Sequence, residues 1–229
     1  MRRAEGSAGK YGTTQWVCGN DARMLIHGVD RGTESEWRAF IAAHPFGQLV
    51  AGGRGRDVPV VVPTQYVMDA DVIVLHLARA NPVWDAIEEN PTVMLSVAGD
   101  WAYVPSDWKV IGDEDPRFGI PTTYYAGVQL IGVASVLDEA QDVRAVLREQ
   151  LASVQPDVEV VDPIEHGPKL RAIRGLRIAV SEVRAKFKYG GNVDREHRLS
   201  VATRLDERRG PGDAAAREHV VRRLEQRGG

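Results

Sequence analysis

The stretch that decides the fold runs from residue 71 to residue 91, DVIVLHLARANPVWDAIEENP. Alternating side chains and β-branched residues over 72–77 predict a strand. A short helix is then favoured, with Asn81 as its N-cap and Pro82 at its first position. Asn90 ends that helix, because a residue before proline is pushed out of the α-helical region. A second strand over 92–98 follows.

The turn between this strand and this helix has a chemical use. A helix start presents unpaired N–H groups and the positive end of a dipole, which together favour an anion. Arg79 adds a planar fork of donors that matches a phosphate group, and His76 and Asn81 flank it. Two interpretations stay open: a site for the phosphate of a cofactor, or a capped surface helix with a solvent-exposed arginine.

The composition narrows the class of protein. The 229 residues carry a net charge of −3, with 43% hydrophobic and 27% charged residues, as in an ordinary globular protein. This balance provides no overall basic field for nucleic acid. Cys18 is the only cysteine, so the chain forms no internal disulfide. No apolar run approaches membrane-spanning length and no signal-peptide pattern is visible, so we expect a cytoplasmic protein.

Three segments are expected along the chain. Residues 1–23 lack periodicity and are typical of a flexible extension, and Met24 is an alternative start of translation. Residues 24–204 form the main domain. Residues 205–229 form a C-terminal helical tail, whose arginines are the one candidate surface for DNA.

The order of predicted elements favours an antiparallel β-barrel with helices around it, a mainly β fold of the α+β class. Gly127 and Gly132 let a long strand bend, as barrel strands must. Residues 105–121 hold three prolines and two glycines, and they predict a long surface loop of the kind that often carries function. Strands are predicted over 48–51, 58–66, 72–77, 92–98, 101–104, 122–136 and 176–187, and helices over 34–44 and 138–151. Residues 194–229 predict two further helices, broken at Gly210-Pro211-Gly212.

At five places the chain resembles the PaiB family, the FMN-binding negative transcriptional regulators. The matching stretches are HPFG at 44–47, HLARANPVW at 76–84, AYVPSDW at 102–108, IPT at 120–122 and KFK at 186–188. The resemblance covers about residues 24–226. It implies an FMN-binding split β-barrel with peripheral and C-terminal helices. The chain departs from the family at Lys109, at 123–125 and at 190–192, which implies a pocket of different shape.

The resemblance also implies a homodimer, with FMN in a groove between the two subunits. One subunit then provides phosphate donors: Thr64, His76, Arg79, Ala80 and Asn81. The other subunit provides the walls of the groove: Tyr103, Trp108, Thr122 and Tyr124. Lys186 and Lys188, two residues apart on one face of a strand, add positive charge.

Three functions stay open at this point. The first is a flavin-dependent oxidoreductase, in which FMN carries hydride or electrons to a small substrate. The second is a transcriptional regulator without catalysis, acting through DNA or a partner protein. The third is a split barrel that binds a deazaflavin or haem, with His76 or His44 as the iron ligand.

Overall fold

We describe the fold from a computed structural model, which describes residues 24–225. One antiparallel sheet of seven strands has the order β2-β1-β5-β6-β7-β4-β3. The strands are β1 (Phe46–Ala51), β2 (Val60–Gln65), β3 (Val67–Asp69), β4 (Val72–Ala78), β5 (Thr92–Val104), β6 (Thr122–Leu137) and β7 (Ile173–Lys188). The α-helices are α1 (Glu34–Ala43), α2 (Val83–Glu89), α3 (Ala140–Val154), α4 (Arg195–Arg208) and α5 (Asp213–Glu225).

The sheet closes on itself through Tyr66. β2 and β3 are the two edges of the sheet, yet only this one residue separates them in the chain. The two edges therefore meet, as the predicted barrel requires. The Tyr66 side chain is buried, and its hydroxyl donates to the carbonyl of His44 at 2.7 Å. The strand predicted over 58–66 corresponds to β2, and the chain changes its pairing partner from β1 to β4 at Tyr66, where that prediction ends.

β5 runs unbroken where the sequence predicts two strands joined by a turn at Gly99-Asp100. That prediction is wrong, because pairing with β6 continues on both sides of a register shift between Gly99 and Ala102. Asp100 adopts a left-handed φ of 51° at this point. An extra residue of this kind bends a strand without ending it.

Helix α1 confirms the helix predicted over 34–44. The Thr33 hydroxyl accepts from the N–H of Glu36, and the Glu36 carboxylate accepts from the N–H of Thr33. This reciprocal capping box satisfies two donors at the start of the helix. Trp37, Phe40 and Ile41 form its buried face against the barrel core.

Helices α4 and α5 confirm the two C-terminal helices predicted on either side of Gly210-Pro211-Gly212. The domain boundary predicted after residue 204 falls inside α4, and α5 packs on β5. The extension predicted over 1–23 lies outside the described residues. Within residues 24–225, none of the helices combines the length and the apolar character that crossing a bilayer requires.

Candidate functional site

The predicted phosphate turn between β4 and α2 is held by internal hydrogen bonds. The backbone N–H of Arg79 donates to the Ala172 carbonyl, and that of Asn81 donates to the Ala78 carbonyl. The Asn81 carboxamide oxygen accepts from the N–H of Val83, but α2 begins at Val83 and Pro82 stands at its cap, one residue later than predicted. These N–H groups therefore already have partners, and α2 is only seven residues long.

The guanidinium of Arg79 is also engaged. Its Nη1 donates to the Asp138 carboxylate at 2.9 Å, and its Nε and Nη2 donate to the carbonyls of Arg171 and Ile173. Arg174 binds the same carboxylate, and its hydrogen bond is the main cause of a lowered pKa at Asp138. The arginine fork thus ties the turn to the start of β7. Its predicted role toward a phosphate stays a prediction.

Of the other residues predicted on this side, His76 and Thr64 are partly or fully covered, whereas Ala80 is not. His76 lies on β4, and its Nδ1 pairs with the Gln150 side chain of α3 at 2.5 Å. Thr64 is buried on β2, and its hydroxyl donates to the Gln65 carbonyl. Ala80 is exposed in the turn. These residues therefore lie on β2, on β4 and in the turn that follows β4.

A second group of predicted residues does converge on a cavity. Thr122, Tyr124 and Lys188 line a space of about 340 Å³ between the 105–121 loop and the end of β7, which we call the lysine pocket. Lys109, Gly190 and Asn192 also line it, and the remaining lining residues are glycine, proline or apolar. Among the described residues, no aspartate or glutamate lines this pocket. Its polar groups are therefore mainly donors.

Lys188 and Thr122 form one wall of the lysine pocket. The Nζ of Lys188 donates to the Thr122 hydroxyl oxygen at 2.8 Å. An ammonium has three N–H bonds, so two remain for a ligand, and the Thr122 hydroxyl keeps its own hydrogen to donate. Lys186 lies two residues earlier, and its Nζ donates to the Leu25 carbonyl instead. The two lysines share one face of β7, since both lie within 6 Å of the Tyr125 ring.

Lys109 lies across the lysine pocket and is partly buried. Burial lowers the pKa of its ammonium, and the positive charge of Lys188 lowers that pKa further. Two cations thus face one cavity that none of the described carboxylates lines. Lys109 is not among the site residues predicted from the sequence. What marks Lys109 in the sequence is a difference from the family, which has an aromatic residue at that position.

Tyr124 closes the inner end of the lysine pocket. Its side chain is 1% exposed, and its hydroxyl finds no hydrogen-bond partner within the part of the chain that the structure describes. Burial raises the pKa of this phenol to about 12, so the hydroxyl stays protonated at neutral pH. A buried polar atom without a partner is rare in native proteins and needs a physical reason. The donor set and this hydroxyl fit an anionic group.

The remaining wall residues lie near the lysine pocket but do not line it. Tyr103 is 51% exposed on β5. Trp108 is partly buried, and the guanidinium of Arg208 from α4 lies 4.5 Å from its ring centre. Trp108 therefore anchors the 105–121 loop on α4, which agrees with one of the two roles that a loop tryptophan can have.

The two clusters lie at opposite ends of β7. Ala78 pairs with Ile173 at one end, whereas Tyr125 pairs with Lys188 at the other. A straight strand of 16 residues spans about 50 Å. The Arg79 turn and the lysine pocket of one chain are therefore separate places.

His44, a candidate haem ligand, uses both ring nitrogens. Its Nδ1 lies 2.8 Å from the Phe40 carbonyl and its Nε2 lies 3.0 Å from the Asp100 carboxylate. Both ring nitrogens of His44 therefore already face hydrogen-bond acceptors. The other carboxylate oxygen of Asp100 pairs with His219 of α5 at 2.9 Å. Asp100 thus joins α1 and α5 to β5.

The arginines of the C-terminal helices also have partners inside the chain. Arg208 binds Asp213 and Arg217 lies 3.6 Å from Asp206. Arg222 contacts His219, and Arg223 contacts the carbonyl of Arg31. These groups stabilise the packing of α4 and α5, which leaves fewer of them to form a surface for DNA.

Comparison with known proteins supports the fold and the family. Two solved structures share the split-barrel fold: the flavocytochrome Anf3 from Azotobacter vinelandii, and the FAD and heme binding protein from Mycobacterium smegmatis. The first has a TM-score of 0.54 at 19% identity, covering 75% of this chain and 75% of that chain. The second has a TM-score of 0.52 at 16% identity, covering 75% and 78%.

Sequence comparison gives the family. The chain is 26% identical over 187 residues to the "Protease synthase and sporulation protein PAI 2" of Bacillus subtilis (strain 168), which covers 78% of this chain and 86% of that protein. The family described as "Putative FMN-binding domain" matches residues 27–182, more than half of the chain. The chain therefore belongs to this FMN-binding family of PaiB-type proteins.

Proposed function

We propose that this protein binds FMN and acts as a homodimeric flavoprotein of the oxidoreductase type. The lysine pocket carries the proposal, because it holds a buried tyrosine hydroxyl without a described partner beside two lysines. Its volume of about 340 Å³ lies within the range of small-molecule sites. The cofactor predicted from the sequence is the one that the family description names.

The residues present fit such a cofactor. Lys109, Lys188, Thr122 and Tyr124 would hold it by donating hydrogen bonds. When bound, FMN supplies hydride or electron transfer, and the protein supplies binding and orientation. Because the pKa of Tyr124 is about 12, this phenol acts as a hydrogen-bond donor rather than as a general base at neutral pH.

Exposed aromatic side chains support a homodimer. Trp101 and Tyr103 are 60% and 51% exposed on β5. Large exposed aromatic side chains close together are typical of interaction surfaces.

A redox role is favoured over direct DNA binding. Arginines of α4 and α5, the predicted DNA surface, contact groups of the same chain. A net charge of −3 further weakens attraction to a phosphate backbone. A regulatory role without catalysis would then act through a partner other than DNA.

Titration of the apoprotein with FMN tests the cofactor. We expect quenching of flavin fluorescence with saturation at one FMN per chain. A deazaflavin and haem, titrated in parallel, would bind more weakly than FMN. Unchanged FMN fluorescence at all protein concentrations, or tighter binding of haem, would contradict the proposal.

Light scattering of the purified protein tests the dimer. We expect twice the chain mass for the wild type, and the chain mass for Tyr103→Glu, because a charge buried without a partner opposes association. Val158→Glu is the matched control, since Val158 is 56% exposed on a different part of the chain. A monomeric wild type, or a dimer that survives Tyr103→Glu, would contradict the proposed interface.

A further inference from the structure

We propose that His197 and Glu114 form a pH-dependent latch that holds the 105–121 loop against α4. The loop supplies one wall of the lysine pocket, through Lys109 and residues 118–121. A latch on this loop therefore controls how readily that wall opens. The latch involves only the loop and α4, so it does not depend on which ligand the lysine pocket takes.

The middle of the 105–121 loop lies between two cavities. The lysine pocket lies on one side. On the other side, a cleft of about 660 Å³ separates residues 110–116 from α4, and Ile111, Leu199 and Thr203 are among the residues that line it. A segment with little close packing opens more easily than the core does. The contacts that cross the cleft therefore decide where the loop lies.

Charged side chains connect the loop to α4. Near the start of the loop, Asp107 forms an ion pair with Arg204 at 3.4 Å, in addition to the contact of Trp108 with α4. At the middle of the loop, a Glu114 carboxylate oxygen lies 3.5 Å from Nε2 of His197. Histidine is the one residue type in these contacts that ordinarily titrates near neutral pH. The middle of the loop is therefore the part whose attachment can respond to pH.

The hydrogen bonds of His197 make its contact with Glu114 depend on protonation. Its Nδ1 lies 2.8 Å from the Asp194 carboxylate, which also accepts the backbone N–H of His197 as the N-cap of α4. Since an ionised carboxylate only accepts, Nδ1 carries the proton of the neutral ring, and Nε2 presents a lone pair to Glu114. Protonation of Nε2 turns this contact between two acceptors into a charged attraction.

The carboxylates around His197 favour the protonated ring. Burial opposes the charge, but Asp194 and Glu114 outweigh burial and raise the pKa of His197 above 6.5. The other charged residues beside it on α4 are Arg195, Glu196 and Arg198. Both arginines donate to backbone carbonyls of α5, and the glutamate lines the cleft. The latch is therefore closed below pH 6.5 and opens as the pH rises through the pKa of the folded protein.

Glu114 transmits the latch to the rest of the loop. Its carboxylate also accepts from the backbone N–H of Ile111 at 3.0 Å, so one side chain closes the 111–114 turn and reaches α4. The two arms of the loop are close together, because a Cβ on Gly119 would overlap the Ser106 carbonyl. We therefore expect the loop to move as one unit with Glu114.

Hydrogen–deuterium exchange of the full chain tests the latch. Backbone amides of residues 110–121 are followed at about pH 5.5 and about pH 8, and the rates are corrected for the intrinsic pH dependence of exchange. His197→Gln stays neutral, and Glu114→Gln keeps an acceptor for Ile111. His166→Gln is the matched control, since His166 is exposed in the 163–172 segment that leads into the opposite end of β7. Circular dichroism confirms that each variant folds.

We expect the loop of the wild type to exchange about twofold to fivefold faster at the higher pH, as the loss of a partly exposed ion pair allows. His197→Gln and Glu114→Gln should exchange at the faster rate at both pH values, and His166→Gln should keep the wild-type response. Equal corrected rates of the wild type at both pH values, or a pH response that survives in either latch variant, would overturn the inference.

Amides of α4 separate the latch from a simple effect on the start of that helix. His197 also pairs with Asp194 at the N-cap, so its deprotonation could loosen α4 itself. Exchange within residues 195–208 that stays constant while the loop responds to pH supports the latch. An equal acceleration in α4 and in the loop would assign the response to helix fraying and contradict the latch.

Discussion

A Cβ on residue 190 would lie 2.5 Å from the Tyr124 hydroxyl oxygen, so the buried hydroxyl keeps its place only beside a glycine. This relationship ties a departure from the family sequence to the inner end of the lysine pocket. Gly190 also has a left-handed φ of 72°, a second reason why glycine is favoured directly after β7.

Replacing this glycine should destabilise the fold. Gly190→Ala places a side chain at a φ of 72° and against a buried ring, so we expect a loss of about 1–3 kcal/mol in the free energy of unfolding. Urea denaturation measures it. Gly52→Ala is the control, because a Cβ there meets no described atom within 4 Å. Equal stability of the two variants would contradict the close packing at Tyr124.

Removing the hydroxyl group should change the free energy of unfolding in opposite directions at two buried tyrosines. Tyr124→Phe removes a polar atom that has no described partner, so we expect the apoprotein to gain about 1 kcal/mol and FMN binding to weaken about tenfold. Tyr66→Phe removes a hydrogen bond to the His44 carbonyl and should cost about 1 kcal/mol. Thermal or urea unfolding of the ligand-free proteins measures both changes in stability. Loss of stability in both variants would mean that the Tyr124 hydroxyl has a partner.

Asp100 should make the stability depend on pH. Burial opposes its charge, but the hydrogen bond from His219 and the charge of His44 outweigh that effect and lower its pKa below 3.8. A carboxylate whose pKa is lowered by folding stabilises the folded state at any pH above its unfolded-state pKa. This contribution is lost as the pH falls through the pKa of the folded state. Asp100→Asn should therefore cost about 1–3 kcal/mol at neutral pH. Its deficit should narrow below pH 3.8, whereas a deficit that is constant with pH would contradict this account.

Arg79 should matter little for stability. Its ion pair with Asp138 is nearly half exposed on both sides, and pairs of this kind contribute about 0–1 kcal/mol. Arg79→Met should therefore unfold at nearly the wild-type urea concentration, with Asp138 still held by Arg174. A large loss of stability would show that the turn depends on Arg79 more than its exposure indicates.

Local patterns predicted most of the elements correctly. The helix over 34–44 has a clear apolar face and a capping box, and both signals lie within a few residues. The strand before Asn81 is predicted by its β-branched residues, and the helix after Asn81 is predicted by the proline at its start. These signals are also local. The bulge at Asp100 escaped prediction, because Gly-Asp also suits a turn and only pairing with β6 shows that the strand continues.

Long-range contacts decide the site and could not be predicted locally. The sequence shows that Arg79 is a good phosphate donor, but not that Asp138, 59 residues later, occupies it. Lys109 and Lys188 meet only because the 105–121 loop folds over the end of β7. The resemblance to the family selected Thr122, Tyr124 and Lys188 as cofactor residues, and the structure places all three around the lysine pocket. Lys109 stands out only as a difference from the family.

The most direct test of the central claim is the dissociation constant of FMN for Lys188→Met and for the exposed control Lys169→Met, measured in one buffer against the wild type. The account predicts weakening of about tenfold to a hundredfold for Lys188→Met and wild-type affinity for Lys169→Met. Wild-type affinity in Lys188→Met would contradict it and place FMN outside the lysine pocket.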